Sequence, residues 1–321
     1  AIGTSARPVL DLHVHVGPEL ITRRYSPDSL AAEAGKANFG FAAKNHFRPT
    51  TADAARLSGS GVTVVGSVVM NLPCGGISVQ ALRAGLSGCK VQVEDPDLTP
   101  MRFIVWMPTI HAEAHLACSG YVDILEEWGG VRRYQTRFPR GGGLSVFEGG
   151  LEAGTEAVMG AGKTRPRLTR AVLETLDLIA EADLILATGH LSAREVEALV
   201  PEALRRGVRR IILTHPLYQS TRLPAAAQKD LCAPDGVYTE LAYVNMAIDH
   251  LTPGQYAEVI RTVGPRKVIL SSDLGQVNQP ALTDGWADYY RILEAQGISP
   301  AEFETMASVN PHTLVFGDPR Q

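Results

Sequence analysis

Cysteine is scarce: Cys74, Cys89, Cys118 and Cys232 are the four in 321 residues, and no two form a C-x-x-C pair. That excludes a disulfide framework and a thiolate zinc site, and fits reduced thiols in a cytoplasmic protein. Long apolar runs are missing as well. No stretch approaches the roughly 18 uninterrupted apolar residues of a membrane-spanning helix, and the opening AIGTSARPVL has neither the basic region nor the apolar core of a signal peptide. Nor is there an excess of one charge. The 30 basic and 34 acidic residues give a net charge of −4 with no long run of either sign. This leaves no footprint for nucleic acid or an anionic membrane and points to a small-molecule substrate. No fixed-period repeat is present. At 45% hydrophobic and 20% charged, the chain can bury the core of one large α/β domain or two smaller ones.

What is present is alternation. Short β-rich runs at 9–16, 39–47, 61–71, 101–111, 183–190, 209–216, 236–244 and 267–273 alternate with segments of helical period. Ser192 and Glu195 have the spacing of a capping box, which starts one helix just after His190. Strand then helix, eight times over, predicts parallel strands with crossover helices. The expected fold is α/β, a single (β/α)8 TIM-like barrel over 1–321, with an open doubly wound sheet as the alternative. The strand ends favour the barrel, because nearly every run is apolar until it finishes on a polar side chain. These are His13 and His15, Lys44 and His46, Asn71, His111, His190, His215, Glu240 and Asp273. In an open sheet only the strands beside the switch point should end so, whereas a barrel brings all eight ends to one mouth. Residues 112–166 interrupt the rhythm after strand 4 with a Gly- and Arg-rich stretch and read as an inserted hairpin and loop, a lid over the mouth. Within it AVMGAGKT (157–164) matches a loose phosphate loop, but no convincing strand precedes it.

A period of two puts Asp11, His13 and His15 on one face of the first strand and Leu10, Leu12, Val14 and Val16 on the other. The apolar face is then expected against helices and the imidazoles inside. Two neutral imidazoles at i and i+2 can chelate one cation, although an isolated pair is equally well read as hydrogen-bonded core histidines. Here His190, His215 and Asp273 end later strands. Several imidazoles with a carboxylate and no thiolate suit zinc, or manganese, cobalt or iron.

DLHVH on strand 1, TGH on strand 5, THP on strand 6 and SSD on strand 8, with the closing VNPHTLVFG at 309–317, resemble the metal-dependent amidohydrolase superfamily. The resemblance implies that His13, His15, His190, His215 and Asp273 hold one or two divalent ions. It also makes Asp273 the base that handles the proton of water, and His190 or His215, where not a ligand, the group that stabilises an oxyanion. The pattern departs at strand 4, which ends MPTIH where two-metal members carry a carboxylated lysine or a glutamate. Strand 2 offers KNH instead. Lys44 is then a carboxylated bridge from an unusual strand, or a lysine for a substrate anion, and His46 an extra ligand. The latter resembles the polymerase-and-histidinol-phosphatase (PHP) family, whose strand-3 acid is replaced here by Asn71. His46, Arg48, His111, Tyr218 and Glu240, together with His115 and Arg222, are candidates for substrate contact. The implied activity is hydrolysis of a small-molecule amide, lactam or ester. A phosphoesterase, a decarboxylase and a non-catalytic binding barrel are the alternatives, and homo-oligomers are compatible with the family.

Overall fold

The structure, a computed structural model, describes residues 8–89, 102–119, 143–154 and 166–317. Each of the eight β-rich runs contains a strand: β1 (Leu10–His15), β2 (Gly40–Lys44), β3 (Val64–Val65) with β4 (Ser67–Val69), β5 (Ile104–Trp106), β6 (Ile185–Ala187), β7 (Ile211–Leu213), β8 (Val237–Ala242) and β9 (Val268–Ser271). All ladders are parallel and run in chain order, β1-β2-β3 and β4-β5-β6-β7-β8-β9. β3 and β4 belong to one run that breaks at Gly66, where a Cβ would stand 2.6 Å from the Thr51 Cα. Past the last ladder, the Asp273 N–H donates to the His13 carbonyl at 2.8 Å and the His15 N–H to that of Leu274 at 2.7 Å. The first and last strands therefore lie side by side.

Among the described residues the α-helices are α1 (Pro27–Lys36), α2 (Thr51–Leu57), α3 (Val79–Gly88), α4 (Glu113–Ser119), α5 (Arg170–Glu181), α6 (Ala193–Arg205), α7 (Ala225–Leu231), α8 (Tyr243–Ile248), α9 (Pro253–Val263), α10 (Leu282–Ala295), α11 (Pro300–Glu304) and α12 (Asn310–Phe316). The Ser192–Glu195 capping box starts α6: the Ser192 hydroxyl accepts from the Glu195 N–H and the Glu195 carboxylate from the Ser192 N–H. Among the described residues no helix is long and apolar enough to cross a membrane.

Strand alternation divides the core. Ala42, Ile104, Trp106, Ile185, Ala187, Ile212 and Ile269 meet Leu10 and Leu12 in one cluster, completed by Leu314 and Val315 of α12. Their neighbours, such as Phe41, Val105, Leu186, Ile211 and Leu270, pack against the helices instead. α12 is tied to the N-terminal ends of the strands by Arg102 and Arg210, which donate to the carbonyls of Val315 and Leu314 and both pair with Asp183.

Strict alternation fails in β1. Its register against β2 shifts between Asp11 and Val14, and an extra residue in a strand reverses the facing of the residues beyond it. Leu10 and Leu12 therefore join the inner cluster, while Val14 and Val16 pack with the helices. Asp11 does not share the histidine face. Its Oδ1 accepts from the backbone N–H of His13 (3.1 Å) and Ser272 (3.0 Å), and its Oδ2 from the Trp286 indole N–H of α10 (2.8 Å). The bulge is thus clamped to β9 and α10. The run at 236–244 also ends early, at Ala242, because Tyr243 opens α8. Of the insertion, α4 and the segment returning onto it are described: the Leu144 N–H donates to the His111 carbonyl and the Glu113 N–H to that of Leu144. The rest, 120–142 and 155–165, lies outside the described residues, and so does the phosphate-loop-like stretch 157–164.

Candidate metal centre

The clamped bulge delivers His13 and His15 to the C-terminal ends of the strands beside Asp273. Asp273 Oδ1 lies 3.1 Å from His13 Nε2 and 2.9 Å from His15 Nε2, with no aligned hydrogen bond to either. One ligating atom from each of the three falls within 4.8 Å of the others, and all three residues are buried. Two imidazole nitrogens and a carboxylate oxygen gathered this closely fit a divalent ion, which nitrogen and oxygen ligands hold at about 2.0–2.2 Å for zinc. Asp273 and His215 both take positive φ, 55° and 20°, a region that residues other than glycine occupy uncommonly. Gly275 is required by close approach, since a Cβ there would meet the His15 carbonyl oxygen at 2.2 Å.

Glu240 supports this trio from behind. It is fully buried; Oε1 lies 3.1 Å from His13 Nδ1 and accepts from the Ser271 hydroxyl, while Oε2 accepts from the His215 N–H. A carboxylate on the remote ring nitrogen fixes the tautomer and directs the Nε2 lone pair outward. Lys44 Nζ lies 2.8 Å from that Nε2 and 4.1 Å above the Trp106 ring. Burial brings the Lys44 pKa down to about 8, against the upward pull of Asp273 and Glu240. Burial also drives His15, His46 and His190 well below the ordinary histidine value and His215 to about 4, so these rings are neutral with lone pairs available. His13 is the exception: burial opposes its charge, but Asp273 and Glu240 raise it.

His190 and His215 stand beside the trio rather than in it. Ring centroids are 5.7 Å apart for His13 and His215 and 5.0 Å for His190 and His215. His190 Nδ1 faces His115 Nδ1 of α4 at 2.8 Å, and the Tyr218 hydroxyl reaches the same His115 atom at 3.0 Å. A second cluster, His15, Glu19 and His46, also has ligating atoms within 4.8 Å, but Glu19 is engaged: it pairs with Arg23 and accepts from the His46 N–H at 2.8 Å.

Of the residues expected to touch substrate, His46 and Tyr218 line the cavity at the strand ends, along with His15, Lys44, His190, His215 and Asp273. Glu240 does not line it; the bulge and β9 turn its carboxylate towards His13. Arg48 bonds Asp53 and the Pro49 carbonyl instead. His111, whose N–H donates to Asn71 Oδ1, and Arg222 are not among the lining residues either. Sequence reasoning missed Asn245, Ile248, Asp249 and Gln276, which do line the cavity. The available signal was the i, i+3, i+4 spacing of 245, 248 and 249, one face of a helix hidden behind an apparent strand.

A family model described as a family of unknown function (DUF6282) matches residues 8–240. No curated protein matches the chain. Among solved structures, an amidohydrolase from Burkholderia multivorans with bound zinc is 12% identical, covering 96% of this chain and 99% of its own, at a TM-score of 0.52. The IDCase of Metarhizium anisopliae in its apo form is 11% identical over 98% of each chain, at a TM-score of 0.51. At such identity the likeness is one of fold, the α/β fold of amidohydrolase-superfamily structures that the strand-end residues resembled.

Proposed function

We propose a metal-dependent hydrolase of small molecules, from the premise that this chain belongs to DUF6282, a family of unknown function that passes on no activity by name. The observation that carries the reading is the buried trio of His13, His15 and Asp273, with Asp273 Oδ1 turned to two imidazole nitrogens and bonded to neither. In this reading the parallel strands, β3 and β4 serving together as one, close into a (β/α)8 barrel, supported by the backbone bonds that join residues 13–15 to 273–274. The chain is one domain, working in the cytoplasm with its cysteines reduced.

His13, His15 and Asp273 would hold the ion, zinc by the donor set, with His190 and His215 proposed as further ligands or as those of a second ion. When bound, a divalent ion polarises a carbonyl and lowers the pKa of water at the site. The rest falls to side chains. Asp273, held ionised by the charge of His13 against its burial, takes a proton from water and passes it to the leaving nitrogen or oxygen. Neutral His190 and His215 with the Tyr218 hydroxyl present donors to a developing oxyanion. Glu240 keeps the His13 ring oriented, and Lys44 places a cation or a neutral amine beside the reacting carbonyl. The neutral imidazoles leave the ion electrophilic, which suits an amide, lactam or ester.

Asp273→Asn tests this, because it keeps the shape and removes the proton acceptor. With metal retained, kcat on the amide or ester found by a substrate panel should fall at least about 100-fold. A variant that keeps its metal and turns over near the wild-type rate defeats the mechanism.

A further inference from the structure

A second set of polar groups lines the same cavity: Asn245 and Asp249, from α8 and its C-terminal end, and Gln276, which lies beyond the end of β9. Asn245 is 4% exposed and Gln276 6%. Both amide nitrogens are spent inside the protein. Asn245 Nδ2 donates to Asp249 Oδ2 at 2.7 Å, and Gln276 Nε2 donates to the Asp273 carbonyl at 2.8 Å. Each partner is an acceptor, so each bond decides which end of the amide is nitrogen; turned over, oxygen would face oxygen. This leaves Asn245 Oδ1 and Gln276 Oε1, two buried oxygens with no hydrogen-bond partner among the described residues. Leaving a buried acceptor unmade costs free energy that a donor from a ligand recovers.

We propose that Asn245 and Gln276 form an acceptor wall selecting substrates whose polar end carries uncharged N–H or O–H donors, a carboxamide, ureide or hydroxyl rather than a carboxylate. Lys44 pulls the other way, so a carboxylate preference is the direct competitor. The wall deepens the hydrolase reading, resting on it for which end of the substrate reaches the trio, and its own chemistry stands without metal.

The test uses butanamide, propylurea and butyrate, probes of similar size, titrated into the full chain by NMR with metal content measured on the same sample. The two donor-bearing probes should bind at least about fivefold tighter than butyrate, a factor of the order of one hydrogen bond. Gln276→Met and Asn245→Leu should each bring that preference below about twofold, the expected result of losing one acceptor. Tighter binding of butyrate to the wild type, no preference among the probes, or a preference unchanged in both variants overturns the wall. Protein that keeps the preference without binding zinc or manganese retains the wall and loses the hydrolase; metal-loaded protein without the preference does the reverse.

Discussion

The two ends of the strand array are built on opposite terms. At the N-terminal ends, Leu314 and Val315 complete the inner apolar cluster, and Arg102, Arg210 and Asp183 satisfy one another and the last carbonyls of α12. At the C-terminal ends His15, His215, Asp273, Asn245 and Gln276 each keep a buried polar atom without a hydrogen-bond partner among the described residues. Burying polar groups unpaired costs free energy, so the apolar layers beneath must offset what the mouth loses. Stability is concentrated at one end and chemistry at the other.

Breaking the apolar layer should give the largest effect. Leu12, fully buried in the inner cluster, should cost about 2–5 kcal/mol on replacement by alanine, read by urea unfolding; a loss under about 1 kcal/mol would place the stability elsewhere. His15→Ala sharpens the contrast from the other side. Metal affinity, by competition with a chelator, should fall by more than the about 10–100-fold of an outer-sphere change, while the metal-free protein unfolds within about 1 kcal/mol of wild type. Chelation alone should strip wild type of metal and activity together.

Glu240→Gln comes next. It keeps the shape behind His13 but sets an amide N–H2 against donors from Ser271, His215 or His13, so metal affinity should fall about 10–100-fold. An unchanged affinity would mean that Glu240 merely fills space. The smallest effect belongs to the satisfied end. Asp183 is held below the ordinary carboxylate range, against burial, by hydrogen bonds from Arg102 and Arg210. A depressed folded pKa contributes stability above the unfolded value of about 3.9, lost as pH falls through the folded one. Asp183→Asn should therefore cost under about 1 kcal/mol near neutrality, with the difference from wild type shrinking in acid.

Much of this was legible in the sequence. The nine strands lie inside the eight β-rich runs, and His13, His15 and Asp273 meet as their strand ends implied, because parallel strands with crossover helices carry their C-terminal ends to one side. Asp11 was misread because alternation assumes one residue per ladder step, and the bulge inserts another. Glu240 was misread for a related reason: a polar strand end shows that a side chain faces inward, not whether it reaches the cavity or stops behind His13. Asn245 and Gln276 lay outside the strand rule altogether.

By itself the sequence determined the alternation of strands and helices, the end of the strands at which imidazoles and carboxylates collect, and the ligand chemistry available there. These come from local periodicity and from side-chain type. Tertiary structure decided which of those groups face one another: the trio with Glu240 behind it, His190 against His115 instead of the trio, and the two amides at the cavity whose oxygens keep no hydrogen-bond partner among the described residues. Such pairings join residues up to 260 positions apart, as His13 and Asp273 are, and rest on a register shift and hydrogen-bond geometry that no local pattern encodes.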